Sequence, residues 1–261
     1  MNFREQFVRP HTGDSKKYSV SAGTCYVTKL SRESKIYGKT MSKKLDRLIA
    51  SLSRLPQNEE DRLRIARMIQ ALDNRYDLAN KIAREPGLAE IIKQLIGRLL
   101  SAYGDLSCLK GKRILDIACG SNTSKAPSAI HINSPFGKRK IRNRKNDGYT
   151  AQFEPWFCRL LLELEARPVG VDIGDLQGEA FEHYYADLGR QGALNFLPDR
   201  SFDAIQDSRL FGSPEFTAQF PHQADRRNVA AEIRNQERRL LKEGGIVIHS
   251  DAESLTGSQQ N

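Results

Sequence analysis

Four short apolar segments in the second half of the chain end at or next to an aspartate. A fifth apolar segment follows near the C-terminus, and stretches with helical periodicity separate several of these candidate strands. Strands that alternate with helices indicate an α/β fold with a mainly parallel, doubly wound sheet. In such sheets ligands bind beyond the carboxyl ends of the strands, so the aspartates are expected to share one edge. The candidate strands are residues 113–117, 168–171, 183–185, 202–206 and 246–248, and the aspartates are Asp116, Asp172, Asp187 and Asp207.

The residues before the first candidate strand have helical periodicity. Leucine and isoleucine at positions i, i+3, i+4 and i+7 predict a first helix that Pro56 ends. Asn58 is suited to cap a second helix, because acidic residues occupy the first turn after it, and this helix is expected to run to Pro86. A third amphipathic helix ends at Gly104, a residue type that readily adopts the left-handed conformation of a helix end.

The chain is therefore predicted to have three parts. Residues 1–40 form a polar segment, either a weak hairpin or disordered; residues 41–110 form a helical cap; residues 111–261 form the α/β domain. The net charge of +9 belongs to the first two parts, because residues 1–110 contain 21 Lys and Arg against 12 Asp and Glu. Within the α/β domain, six of the eight residues 138–145 are Lys or Arg. Such a cluster is either a solvated loop or a surface that attracts RNA or another phosphate-rich partner.

The turn after the first candidate strand has the character of a ligand loop. It runs from Leu115 to Ser121, and Gly120 within it allows backbone N–H groups to approach a ligand closely. A carboxylate at Asp172 can accept hydrogen bonds from both hydroxyls of a ribose, and one at Asp187 from the exocyclic amine of an adenine. A single aspartate at a strand end is more often a turn or helix cap. Four in register favour a shared ligand site.

These segments, taken in order, resemble the motifs of class I S-adenosylmethionine-dependent methyltransferases, which have a Rossmann-like fold. The matching segments are Lys112–Ser121 for the first motif, Val169–Ile173 for the second, Ala186–Leu188 for the third, Ser201–Ile205 for the fourth and Leu240–Ile248 for the turn into the fifth strand. Each match is weak alone, but all five occur in the family's order.

The resemblance implies an enzyme that binds S-adenosylmethionine and transfers its methyl group to an acceptor, either RNA or a small molecule. It implies cofactor contacts from Asp116, Ala118, Cys119, Gly120, Ser121, Asp172, Ile173, Asp187, Leu188 and Asp207. Of these, the turn would surround the methionine part, Asp172 the ribose, and Asp187 with Leu188 the adenine. No catalytic base is identified. Asp207 is a candidate because it would face the sulfonium or the acceptor, and the other candidates by position are His183, His222 and Glu154.

The sequence departs from the family pattern in three places. Ala118 and Asn122 replace two of the usual glycines of the first motif, and residues 123–150 form an insertion before the next helix. Only residues 251–261 follow the fifth candidate strand, so the sixth and seventh strands of the family's sheet are expected to be missing. The fifth strand is then an edge, or a partner chain or the N-terminal segment covers it.

Alternative functions follow from these departures. One is a scaffold of the same fold that no longer turns over, and another is a nucleic-acid-binding protein acting through the basic regions. A dinucleotide-binding Rossmann domain fits less well, because the G-x-G-x-x-G spacing is absent. The four cysteines form no C-x-x-C pair, so no metal site is expected. No apolar run suits a membrane span or a secretion signal, and a cytoplasmic location is expected.

Overall fold

The computed structural model describes most of the chain from the predicted cap onward. Backbone and side chains are described for residues 43–56, 58–121, 151–207, 210–212, 216 and 219–248, and the backbone alone for residues 130–134 and 137–141. The predictions for residues 1–40, for the basic residues 142–145 and for the C-terminal tail lie outside the described residues.

Among the described residues, four α-helices precede the sheet. They are residues 43–52 (α1), Glu59–Tyr76 (α2), Leu78–Arg84 (α3) and Gly87–Tyr103 (α4). Asn58 caps α2 as predicted, because its side-chain oxygen accepts a hydrogen bond from the N–H of Asp61 at 2.7 Å. Gly104 ends α4 with a φ of 73°, which also agrees with the prediction.

The prediction of one continuous helix from Asn58 to Pro86 was wrong, because the chain turns at Asp77. Asp77 adopts a left-handed conformation with a φ of 56°, which aspartate tolerates better than most residues. The carboxylate of Asp73 then accepts a hydrogen bond from the N–H of Ala79 at 2.7 Å. A side chain of α2 therefore satisfies a backbone donor in the first turn of α3, which stabilises the break.

Seven strands follow the cap in the described part of the chain. They are β1 (Arg113–Ile117), β2 (Ile130–Ser134), β3 (Gly137–Ile141), β4 (Arg167–Asp172), β5 (Glu182–Tyr185), β6 (Phe202–Asp207) and β7 (Leu241–Ile248). Five of them form one parallel sheet in the order β5-β4-β1-β6-β7. In the sequence order of these five strands this is 3-2-1-4-5, an order compatible with a Rossmann-like fold. The predicted α/β class with a parallel sheet is confirmed.

The sheet separates two apolar cores. Helix α5 (Trp156–Glu163) and the cap pack on one face, in a single buried cluster that includes Ile114 of β1. Helix α6 (Gln223–Leu240) packs on the other face, where the buried cluster includes the neighbouring Leu115. Successive side chains of a strand point to opposite faces, which explains this division. In the described segments, no helix is both long and apolar enough to cross a membrane.

β7 is longer than predicted. It begins at Leu241, immediately after α6, and its pairing with β6 is irregular between Phe202 and Ala204. Gly244, near this irregularity, has a φ of 72°, a conformation that glycine adopts without strain. Among the described residues β7 pairs with β6 alone.

The predicted insertion contains a two-stranded antiparallel ribbon, which the sequence analysis did not predict. β2 and β3 pair with each other and form a sheet separate from the five-stranded one. Lys138 pairs with Asn133, and Lys140 pairs with His131. The first half of the basic cluster therefore lies on a strand of this ribbon.

Candidate functional site

The parallel sheet brings the carboxyl ends of four predicted strands to one edge. The Cα pairing places Ile117 of β1 opposite Val171 of β4 and opposite Asp207 of β6. Asp172 is paired in turn with Tyr185 at the end of β5. The loops that follow these strands therefore leave the sheet side by side, as expected for a parallel α/β sheet.

The turn after β1 is tightly covered by the chain itself. Gly120 has a φ of 96°, and a Cβ at this position would lie 2.1 Å from the carbonyl oxygen of Phe153. The N–H of Ser121 donates a hydrogen bond to the same carbonyl at 2.9 Å. Glycine is therefore required here because the short 3₁₀ helix Ala151–Phe153 approaches it. From the sequence, a ligand was expected in the space that this helix occupies next to Gly120. Ala118 also has a positive φ, of 58°, which costs an alanine roughly 1 kcal/mol.

Asp172 joins the loops after β1 and β4. One carboxylate oxygen accepts a hydrogen bond from the N–H of Gly120 at 2.9 Å, and the other from the N–H of Gly174 at 2.7 Å. A Cβ on Gly174 would lie 2.2 Å from the Cβ of Ser121, so the two loops are in close contact. The backbone amides therefore fix the direction of this carboxylate at the edge of the sheet.

Exposed apolar side chains lie beside this carboxylate. Four large apolar side chains are exposed among the described residues, and three of them are at this edge of the sheet. Phe153 is 52% exposed, Ile173 54% and Tyr185 68%, whereas Leu63 is on α2. Ile173 follows Asp172 directly, and Tyr185 is the strand partner of Asp172. Ligand sites combine such apolar surfaces with a few fixed polar groups.

Asp116 does not reach this surface. Its side chain is fully buried beneath α5, where the thiol of Cys158 donates to its carboxylate at 3.7 Å. Burial raises the pKa of the Cys158 thiol to about 11, and burial also raises that of the Cys119 thiol. Both thiols stay protonated at neutral pH, so neither is an activated nucleophile. The cofactor contact of Asp116 stays a prediction.

Asp187 is engaged within its own loop. One carboxylate oxygen accepts a hydrogen bond from the N–H of Gly189 at 3.1 Å, and the other accepts one from Nε of Arg190 at 3.1 Å. The neighbouring Leu188 is buried in the core on the α6 side of the sheet. The adenine contact of these two residues stays a prediction.

The candidate bases are dispersed. Asp207 is buried at the end of β6, next to β1. His183 has Nδ1 2.9 Å from the carbonyl oxygen of Phe181 and packs edge-on against that ring, which is a structural role. His222 is exposed before α6. Of these three, Asp207 alone lies on the strand next to the turn. The fourth candidate, Glu154, follows Phe153 beside the turn and is bound by Lys81 and Arg159.

A buried ion cluster, which was not predicted from the sequence, lies beneath the edge. Arg159 of α5 binds both oxygens of Glu179, with Nη2 at 2.6 Å and Nε at 3.2 Å, and also binds Glu154. Lys81 of α3 binds the two oxygens of Glu154 at 2.6 and 2.5 Å. A signal was present in the sequence, because Arg159 stands within the apolar run Trp156–Leu164. A charge in such a helix is buried only when it is paired.

Neither a protein-family model nor a curated protein nor a solved structure matches the chain. In the described part of the chain, no group of three metal-ligating side chains is placed to hold an ion. The chemistry of the edge therefore has to be inferred from the fixed carboxylate, the apolar side chains around it and the order of the strands.

Proposed function

We propose that the carboxyl edge of the sheet binds S-adenosylmethionine and that the protein is a methyltransferase. The observation that carries this proposal is the carboxylate of Asp172, fixed by the amides of Gly120 and Gly174 and adjoined by the exposed Ile173 and Tyr185. The five motif matches, which lie along β1 to β7 in the order of the family, support it further.

The residues present suit the nucleoside part of this cofactor. A carboxylate accepts hydrogen bonds from hydroxyls as it does from amides, so Asp172, whose direction the amides of Gly120 and Gly174 fix, is suited to bind the two ribose hydroxyls. Ile173 offers an apolar surface next to this carboxylate for the adenine ring. Contact of such an apolar side chain with water is unfavourable, and an adenine ring that covers the side chain removes this contact.

The cofactor supplies an activated methyl group on a sulfonium. An acceptor that is already nucleophilic needs alignment with that methyl group and exclusion of water, and no general base. Asp207, at the end of the strand next to β1, is the residue of this chain best placed to orient the acceptor or the sulfonium. RNA and a small molecule both remain candidate acceptors in this proposal.

Calorimetry with the full chain tests the binding step. S-adenosylmethionine is expected to bind with a dissociation constant on the order of 10 μM to 100 μM, within the range usual for enzyme substrates. NAD is the matched comparison, since a dinucleotide-binding Rossmann domain would bind it instead. The absence of heat with S-adenosylmethionine at millimolar concentration would contradict the proposal.

A non-catalytic scaffold is the alternative that the turn after β1 favours. The carbonyl of Phe153 occupies the space next to Gly120, and Ala118 stands where the family has glycine. Such a scaffold would bind the cofactor without transferring its methyl group. Incubation with radiolabelled cofactor and total RNA or a metabolite extract separates the two cases. Only an enzyme labels an acceptor, and the amount of label then rises in proportion to the concentration of the enzyme.

A second candidate function is nucleic-acid binding through the β2–β3 ribbon. The ribbon lies between β1 and α5 in the sequence, and its second strand carries Lys138, Arg139 and Lys140. Replacing these three residues with glutamine should weaken RNA binding and flatten its dependence on salt, because fewer counterions are released. Replacement of Lys43, Lys44 and Arg47 on α1 removes the same charge elsewhere and is the control. Equal loss in both variants would indicate non-specific attraction.

A further inference from the structure

The guanidinium of Arg159 connects the two loops that form the candidate site. Its Nη1 binds Glu154, which follows the Phe153 carbonyl that closes on the turn after β1. Its other side binds Glu179, which lies in the loop between Asp172 and β5. The side chain of Arg159 is 3% exposed, so these bonds are formed away from water.

The cluster extends from these loops to the helical cap. Lys81 of α3 binds both oxygens of Glu154. The guanidinium of Arg159 also lies 4.1 Å from the ring centroid of Tyr76, at the end of α2, and 4.8 Å from that of Trp156. Two cations and two carboxylates thus neutralise one another in a buried position that three parts of the fold share.

Arginine is the residue that this arrangement requires. Its planar fork can bind one carboxylate through two N–H groups while its flat face stacks on an aromatic ring. Lysine keeps the charge but has neither the fork nor the flat face. A buried ion pair contributes little to stability overall, and its best-attested use is to fix one arrangement among several.

We propose that Arg159 is a positioning residue that sets the turn after β1 and the loop after β4 relative to each other. Through Glu154 it holds the segment that contacts Gly120 and Ser121, and through Glu179 it holds the loop that starts at Asp172. That these loops bind the cofactor rests on the proposed function, but the positioning of the loops by Arg159 does not.

Amide hydrogen exchange measured by NMR on the full chain tests the positioning without any ligand. In Arg159→Lys, the N–H of Ser121 and the N–H of Gly174 should exchange about tenfold faster, because both loops lose their common anchor. The N–H of Leu106, bound to the buried Asp61 in the cap, should not change. Uniform acceleration of all three, or of none, would overturn the proposal, since it would indicate a general loss of stability or no effect.

The matched control is Arg113→Lys. Arg113 pairs with Glu182 at 2.7 Å and stacks on the ring of Phe202 at 4.7 Å, but it lies at the opposite end of the sheet. It should leave the exchange of Ser121 and Gly174 unchanged. Acceleration there in the control would also overturn the proposal.

Glu179→Gln keeps the inference testable if Arg159→Lys does not fold. This variant weakens one arm of the cluster, so the N–H of Gly174 should exchange faster while that of Ser121 keeps its protection. The cofactor gives a second readout: S-adenosylmethionine should bind about tenfold more weakly to Arg159→Lys and equally well to Arg113→Lys. If the wild-type protein does not bind it, the proposed function fails, and the exchange rates still decide the positioning.

Discussion

Aspartates at the two ends of the five-stranded sheet have different partners. At the amino end, Asp203 accepts a hydrogen bond from the N–H of Arg113 at 2.8 Å and binds Nζ of Lys242 at 2.9 Å. A second pair, Arg113 with Glu182, lies at the same end. The acidic groups there are neutralised by neighbouring cations, as at an ordinary protein surface.

At the carboxyl end, Asp172 is held by two backbone amides from two loops, and apolar side chains beside it are exposed. These amides fix the direction of the carboxylate. At the amino end the aspartate is therefore part of an ion pair, whereas at the carboxyl end it is a hydrogen-bond acceptor of fixed direction. The difference indicates that residue type and strand position do not by themselves identify a site, whereas the partners of the carboxylate do.

The largest expected effect separates Asp172 from Asp203. Asp172→Ala removes the acceptor for two ribose hydroxyls, and S-adenosylmethionine should bind roughly 100-fold more weakly, since a hydrogen bond to a charged group contributes about 1.5–3 kcal/mol. Asp203→Ala removes a similar bond to a neighbouring amide but should leave the affinity unchanged. Titration calorimetry measures the affinity of both variants for S-adenosylmethionine. Equal affinities of the two variants would contradict the distinction between the two ends of the sheet.

A smaller effect is expected from the exposed apolar side chains. Ile173→Ser should weaken cofactor binding roughly fivefold to tenfold, because part of an isoleucine surface no longer packs on the ring. Leu63→Ser is the control, because Leu63 is similarly exposed on α2, away from this edge. Neither change should alter the melting temperature appreciably. A loss of affinity in the Leu63 variant would show that the apolar contact is not specific to the site.

The smallest effect is a pH dependence at the amino end. Burial opposes ionisation of Asp203, but hydrogen bonds from Lys242 and the Arg113 amide prevail and lower the pKa of the carboxyl. The folded protein therefore binds this proton less readily than the unfolded chain, so the stabilisation is present above the unfolded pKa of about 3.8. It is lost as the pH falls below that value.

Asp203→Ala should accordingly lower the free energy of unfolding by less than about 1 kcal/mol at pH 7, the size expected of a partly exposed ion pair. The difference from wild type should shrink as the pH approaches 3. Urea denaturation at several pH values measures it. A difference that grows on acidification would contradict the assignment of this carboxylate as ionised and paired.

The five strands of the parallel sheet could be predicted from the sequence because each is short and apolar and is followed by a polar turn, whereas their order in the sheet and the β2–β3 ribbon could not. The position of Asp116 was also readable in part: it lies between Leu115 and Ile117, so its side chain points to the face opposite theirs. The break at Asp77 was not, because it depends on a hydrogen bond that the Asp73 side chain makes to the next helix.

Contacts between distant residues account for the rest. Nothing local to Gly120 indicates that the Phe153 carbonyl covers it, since 33 positions and an insertion separate the two residues. The partners of Arg159 are Glu154, which precedes α5, and Glu179, in the loop after β4, and Glu154 also binds Lys81 of α3. The sequence indicated that this arginine needed partners, but only the fold identifies them.

A crystal structure of the full chain with S-adenosylhomocysteine, the product form of the cofactor, tests the central claim most directly. The ribose hydroxyls are expected within hydrogen-bond distance of the Asp172 carboxylate, with the adenine ring against Ile173. A ligand bound elsewhere, or one at this edge without a contact to Asp172, would contradict the account.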